Sequence, residues 1–267
     1  MKTTPCHLLL GTFSMAFAMI APGSVLAESA GTPAVNILFI MADDHNRQTT
    51  SCYNPDSLIR TPGIDRLAAE GMRFTRAAVV NSICVPSRAT LLTGQYSHRN
   101  GVRKLGDTFD GSRQTFPKLL QRAGYQTAIV GKWHLRSQPT GFDYYNVLPG
   151  QGRWIDPVMK EAGSAWKAEK GDETVFRGYT SDVITAQAIK WLDTRRDPAR
   201  PFCLMVHHKA PHGPHVPAPR YAGLFADTVF PEPPTLQDDY GGRAPLATED
   251  ELTWSRMRLC VYPEYRP

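Results

Sequence analysis

Apolar positions in this chain fall into short, nearly continuous runs, separated by stretches with a helical period. Val35 to Met41 is apolar at every position but Asn36 and leads to Asp43-Asp44, the pattern of a strand buried on both faces of a parallel sheet. Thr61 to Gly71 predicts a helix, with Thr61 as cap, Pro62 in the first turn, Ile64, Leu67 and Ala68 on one face, and Gly71 as the stop. Met72 to Val80 predicts another strand, and Pro86 to Thr93 a helix closed before Gly94. Thr115 to Ala123 predicts a proline-opened helix with Phe116, Leu119 and Leu120 inward, followed by a strand from Tyr125 to Val130. Gly141 to Arg177 is rich in Gly, Pro and aromatic residues without a clear period, which predicts a long surface excursion facing substrate. A capped helix from Ser181 to about Thr194 carries Ile184, Ala188, Trp191 and Leu192 at helical spacing, and Phe202 to Val206 predicts a further buried strand. Beyond Pro214 the text is proline-rich and polar, as in a surface loop.

This alternation predicts an α/β layered fold, in which ligands bind outside the carboxyl ends of the strands. Three of those ends carry chemistry: Asp43-Asp44, then Gly131-Lys132-Trp133-His134, then His207-His208-Lys209-Ala210-Pro211-His212. Cys84, at the head of a predicted helix, follows a fourth. The convergence is more informative than any one group, since an acid pair after a strand is commonly a solvated turn.

Residues 1–27 combine Lys2, an apolar run from Leu8 to Ile20 and small residues before Glu28, the layout of a secretory signal peptide. The run is too short for a membrane span, so the expected state is exported, periplasmic or secreted, with no membrane anchor after cleavage. Residues 28–267 are enough for one domain. The formal charge is +5, and removing the leader takes away Lys2, which leaves a mild basic excess that favours an acidic substrate. No dense basic stripe points to nucleic acid. The cysteines after the leader, Cys52, Cys84, Cys203 and Cys260, are scattered and form neither a disulfide framework nor a zinc pair.

Asp43 and Asp44 offer hard oxygen ligands suited to calcium or magnesium rather than a soft metal. Cys84 stands where free helix amides favour negative charge, and Arg88, one turn on, can project from the same face. On the residues alone, Cys84 reads equally as an activated thiol or as a buried structural cysteine.

The run Cys84-Val85-Pro86-Ser87-Arg88, followed by Ala89-Thr90-Leu91-Leu92-Thr93-Gly94, resembles the signature of the type I sulfatases and matches its CxPSR core at each fixed position. The likeness extends through Asp43-Asp44-His45, Thr61-Pro62-Gly63-Ile64-Asp65, Gly131-Lys132-Trp133-His134 and Ala210-Pro211-His212. It implies an alkaline-phosphatase-like fold, a mainly parallel sheet sandwiched by helices, of which residues 28–267 are the N-terminal portion. It also implies that a maturation enzyme converts Cys84 to formylglycine, whose hydrate supplies the attacking oxygen. Carried over by position, Asp43, Asp44 and modified Cys84 would ligate calcium, and Arg88 would steady the hydroxylate. Lys132 would bridge sulfate and nucleophile, His134 would act as base, and His212 would bind sulfate and protonate the leaving alcohol. His207, His208 and Lys209 are expected either to contact substrate, His208 and Lys209 above all, or to support His212. Flanking runs such as Phe109-Asp110-Gly111-Ser112 are most similar to the N-acetylglucosamine-6-sulfatases, which implies a 6-O-sulfated amino sugar of mucin or a glycosaminoglycan.

The pattern breaks late in the chain. The family's further metal ligands, an acid followed by asparagine or histidine, have no counterpart after His212, and Asp238-Asp239-Tyr240 is no substitute. A truncated chain with weak or absent activity is therefore expected. Two other readings remain open: a phosphate or phosphonate ester hydrolase of the same superfamily, and a binder of sulfated glycans that leaves Cys84 unmodified.

Overall fold

The computed structural model describes residues 34–163, 166 and 173–232. The predicted leader, Asp238-Asp239-Tyr240 and Cys260 lie outside them. Within the described residues, six strands form one sheet in the order β1-β6-β2-β3-β4-β5. They are β1 (Ile37–Asp43), β2 (Gln126–Lys132), β3 (Tyr144–Leu148), β4 (Val158–Glu161), β5 (Thr174–Val175) and β6 (Phe202–Pro211). Strands β1, β6, β2 and β3 run parallel, and β4 and β5 add antiparallel at the far edge.

Helices α1 (Pro62–Glu70), α2 (Cys84–Thr93), α3 (Ser97–Asn100), α4 (Phe116–Arg122) and α5 (Thr180–Thr194) complete the described elements of regular length. Val85, Ala89 and Leu92 of α2 pack with Ile129, Val147, Cys203 and Met205 on one sheet face. Val183, Ile184, Ala188 and Trp191 of α5 pack with Ala128, Val130, Leu148, Leu204 and Val206 on the other. Alternate residues of β2, β3 and β6 thus feed two cores, which is why these runs lack polar alternation. Each fully buried Leu, Ile or Val contributes ~1.5–3 kcal/mol of hydrophobic stabilisation.

Several sequence expectations change. β1 is not covered on both faces: Ile37 and Phe39 pack inward, whereas Leu38 and Ile40 are 52% and 56% exposed at the sheet edge. No described residue pairs with the outer edge of β1. Met72 to Val80 forms no strand and is exposed throughout, because no described strand offers it a ladder. Helix α1 buries none of its residues, so Ile64 and Leu67 face outward, and Leu119 of α4 is exposed too. Thr61 does not cap the α1 backbone; its hydroxyl bonds Asp65 Oδ1 at 3.1 Å. The stretch expected to be a surface excursion holds β3, buried at all five positions, together with β4 and β5. β6 continues past Val206 to Pro211, carrying His207, His208 and Lys209 within the strand. Helix α5 begins at Thr180, one residue before its expected cap. No helix among the described residues is long and apolar enough to cross a membrane.

Candidate active site

The strand order decides where the chemistry meets. β6 lies between β1 and β2, with Met41, His207 and Gly131 on one register row. Asp43 and Lys132 lie just beyond that row, on strands two spacings or ~10 Å apart. The long Lys132 side chain spans β6 and donates a hydrogen bond to Asp43 Oδ2. Close backbone packing makes this crossing possible. Gly131 takes φ +104°, and a Cβ there would stand 2.0 Å from the carbonyl oxygen of His207.

Helix α2 supplies the next two groups. Its first residue, Cys84, follows the extended Ile83, so the unpaired amides of the first turn lie at the thiol's own end of the helix. Gly94 closes the helix in the left-handed conformation and donates its N–H to Thr90 O. Cys84 Sγ lies 3.7 Å from Asp43 Oδ1 and 3.8 Å from Lys132 Nζ. Arg88 Nη2 lies 3.6 Å from the same Asp43 oxygen. Asp43 therefore stands at the centre of a buried cluster of one carboxylate, two cations and one thiol.

The charges respond to this crowding. Burial pushes Asp43 upward, but the Lys132 hydrogen bond and the positive charge of Arg88 outweigh it and hold the carboxyl below its ordinary range. Burial lowers Arg88, against the pull of Asp43. Burial also raises the Cys84 thiol, aided by Asp43 and Asp44 and opposed by Lys132 and Arg88. A cysteine with its pKa raised is protonated at neutral pH, which disfavours the activated-thiolate reading of the sequence.

His134, after β2, takes φ +54° and makes no hydrogen bond through its buried Nδ1 among the described residues. Burial, with Lys132 and Arg88 nearby, pushes it down to about 4, so the ring is neutral at neutral pH and resists charging. His212 Nδ1 contacts its neighbour Gly213 O, which assigns that nitrogen as donor in the neutral ring and leaves Nε2 as acceptor. Nε2 lies 3.7 Å from Asp44 Oδ2. Asp44 itself is at φ +60° with its carboxylate half exposed.

Donor atoms of Asp43, Cys84 and His212 all lie within 4.8 Å of one another, a possible metal site among the described residues. Asp44 Oδ2 approaches that group through His212 without being one of its donors. Carboxylates are the donors a hard divalent cation takes, although calcium's six to eight ligands exceed what these residues offer.

The remaining expected contacts separate. Lys209 is 3% exposed, with Nζ 4.7 Å from the Trp154 ring centroid, and burial followed by repulsion from Lys132 lowers its pKa. His208 has the strand parity of Leu204 and Val206, the face that packs on α5, and makes no described contact with the Asp43 cluster. The group underrated by sequence reasoning is His207. It is buried, with Nδ1 3.2 Å from Arg88 Nη1 and 3.3 Å from Lys132 O, so it supports the arginine rather than His212. Parity with Cys203 and Met205 was the available signal, hidden because the strand was expected to end before it.

Comparison with known proteins gives the same assignment. The family model described as Sulfatase matches residues 35–238. An N-acetylglucosamine-6-O-sulfatase of Bacteroides thetaiotaomicron is 46% identical over 95% of this chain, which spans 43% of that relative. The human N-acetylglucosamine-6-sulfatase is 28% identical over 78% of this chain and 40% of its own length. A solved structure of a protein in complex with its substrate, D-glucosamine-2-N,6-O-disulfate, superposes with a TM-score of 0.75 at 50% identity, over 80% of this chain and 42% of that one. The chain thus spans less than half the length of these relatives and shares their α/β architecture. With the match covering every strand described above, the chain belongs to the sulfatase family.

Proposed function

We propose that this chain carries the nucleophile side of a sulfuric ester hydrolase site that removes sulfate from a 6-O-sulfated N-acetylglucosamine of mucin or a glycosaminoglycan. The observation that carries the reading is the meeting of Cys84, at the head of α2, with Asp43, Lys132 and Arg88. The similarity to two 6-sulfatases supports the substrate class.

In this reading, Cys84 is oxidised by a maturation enzyme to formylglycine, whose hydrate supplies the attacking oxygen. A calcium ion held by Asp43, Asp44 and residue 84 would draw charge from the sulfate oxygens. The protein's own groups do the rest. Arg88 is locked between Asp43, His207 and Lys132 O, so its charge faces position 84 without reorganising. Lys132 Nζ reaches both Asp43 and residue 84, where it can hold a sulfate oxygen and the nucleophile together. His134 is neutral, and in this reading its free ring nitrogen receives the hydrate's proton against the opposing charges of Lys132 and Arg88. His212 Nε2 lies beside Asp44, and in its doubly protonated form the ring would deliver a proton from Nε2 to the departing sugar oxygen. Lys209 adds a buried cation fixed against Trp154 for the sulfated substrate. His208 is a weaker candidate for substrate contact, given its strand parity. Export by the leader fits a substrate found outside the cell.

The test is mass spectrometry of the Cys84 peptide after expression with a formylglycine-generating enzyme, followed by assay on 6-sulfated N-acetylglucosamine. An aldehyde at residue 84, with sulfate release that disappears in Lys132→Ala, is the expected result. A thiol that persists despite the maturation enzyme overturns the reading.

A further inference from the structure

Beside the Asp43 cluster, a cavity of about 300 Å³ opens at the carboxyl ends of β2 and β3, lined by Trp133, His134, Arg136, Leu148, Gly150 and Trp166. Its composition suits a sugar: the half-buried Trp166 offers a ring face above a floor of buried Trp133 and Leu148, with the imidazole of His134 and the exposed guanidinium of Arg136 for polar substituents. His134 belongs both to this cavity and to the proposed acid–base set. Arg136 is four residues from Lys132, so their Cα atoms are at most ~14 Å apart. One pyranose with its substituents bridges such a gap.

The walls are fixed in advance. Trp133 Nε1 donates to Ser137 O at 2.6 Å, closing the turn that carries Arg136, and its ring meets Phe142 edge-on at 6.0 Å. Trp166 meets Tyr145 edge-on at 6.2 Å and lies under Lys160 Nζ at 5.3 Å. Arg136 is held at φ +62°, is exposed, and forms no ion pair among the described residues. A pinned turn that presents an unpaired guanidinium over an aromatic-walled cavity is built to receive an anion carried on a ring.

Resting on the sulfated-sugar reading above, we infer that this cavity is a subsite for a second anionic substituent of the substrate, such as a sulfate at the amino position. Arg136 is its partner, and Trp166 is the platform for the sugar ring. Arg136 is then a specificity residue, remote from the reacting sulfate. A bidentate guanidinium contact to sulfate, partly open to solvent, is worth about tenfold in affinity.

The test is calorimetric binding in a Cys84→Ser background, which prevents turnover, with 6-sulfated N-acetylglucosamine and with glucosamine sulfated at both N2 and O6. Arg136→Ala is expected to weaken the disulfated sugar about tenfold and the monosulfated one less than twofold, and Arg136→Lys to restore part of the loss. Trp166→Ala is expected to weaken both about threefold or more. Equal losses on both sugars in Arg136→Ala, or none on either, overturn the subsite while leaving the 6-sulfatase reading intact. If the parent chain binds neither sugar, both readings fall together.

Discussion

Replacing Asp43 with asparagine keeps the shape of the side chain and removes the carboxylate that Lys132 and Arg88 share. Lys132 is fully buried and Arg88 is 4% exposed, so neither cation can turn to water. Removing one partner of a buried ion pair costs about 3–5 kcal/mol, because the remaining charge is stranded. The asparagine oxygen can still accept one hydrogen bond from Lys132, and its own desolvation is cheaper, which brings the expected loss to ~2–4 kcal/mol. Against a total stability of ~5–15 kcal/mol this is a large shift. Urea unfolding followed by tryptophan fluorescence, at pH 7 with a chelator present, measures it. Lys132→Met in both backgrounds completes a cycle in which the double variant loses less than the sum of the single ones, by ~1–3 kcal/mol. A loss under 1 kcal/mol with no coupling would refute the claim that Asp43 neutralises both cations.

Gly131→Ala places a Cβ 2.0 Å from His207 O at φ +104°, and should cost more than ~3 kcal/mol or abolish soluble expression; a melting temperature within a few degrees of the parent contradicts this. His134 titrates at about 4 in the folded chain but near 6.5 when unfolded, so its contribution is complete above pH 6.5 and is lost as pH falls toward 4. That gap is worth ~3 kcal/mol at most, and partial solvent access reduces it to ~1–2 kcal/mol, so urea midpoints at pH 7 and 4.5 should diverge between the parent and His134→Gln. Parallel pH profiles would sink that assignment. Ile40→Lys, at a position 56% exposed on the edge strand, should change stability by less than ~1 kcal/mol while lowering light scattering on concentration; a clear destabilisation would mean that face is covered.

The sequence by itself determined the elements whose signals are local. Proline and glycine punctuation bounded α4 and closed α2, which starts at Cys84 rather than at Pro86, and the apolar runs before Asp43, Lys132 and His207 located β1, β2 and β6. Part of the cluster was legible as well: Asp43 and Lys132 at strand ends, Cys84 and Arg88 on α2, and His212 after β6 do converge in space.

Only the tertiary structure decided which apolar segments find cover. Met72 to Val80 has the composition of a strand but no described neighbour to pair with, whereas Tyr144 to Leu148 looks irregular yet is buried on both faces between β2 and β4. A strand is a pairing and not a property of its own residues, so composition cannot rank those two segments. The role of His207 followed the same logic, since its partner Arg88 lies 119 positions away along the chain and meets it only through the packing of α2 on the sheet. Local chemistry is written in the sequence because it depends on neighbouring residues. Burial, register and charge pairing depend on what else arrives at the same place, and only the folded arrangement of β1, β6 and β2 fixes that.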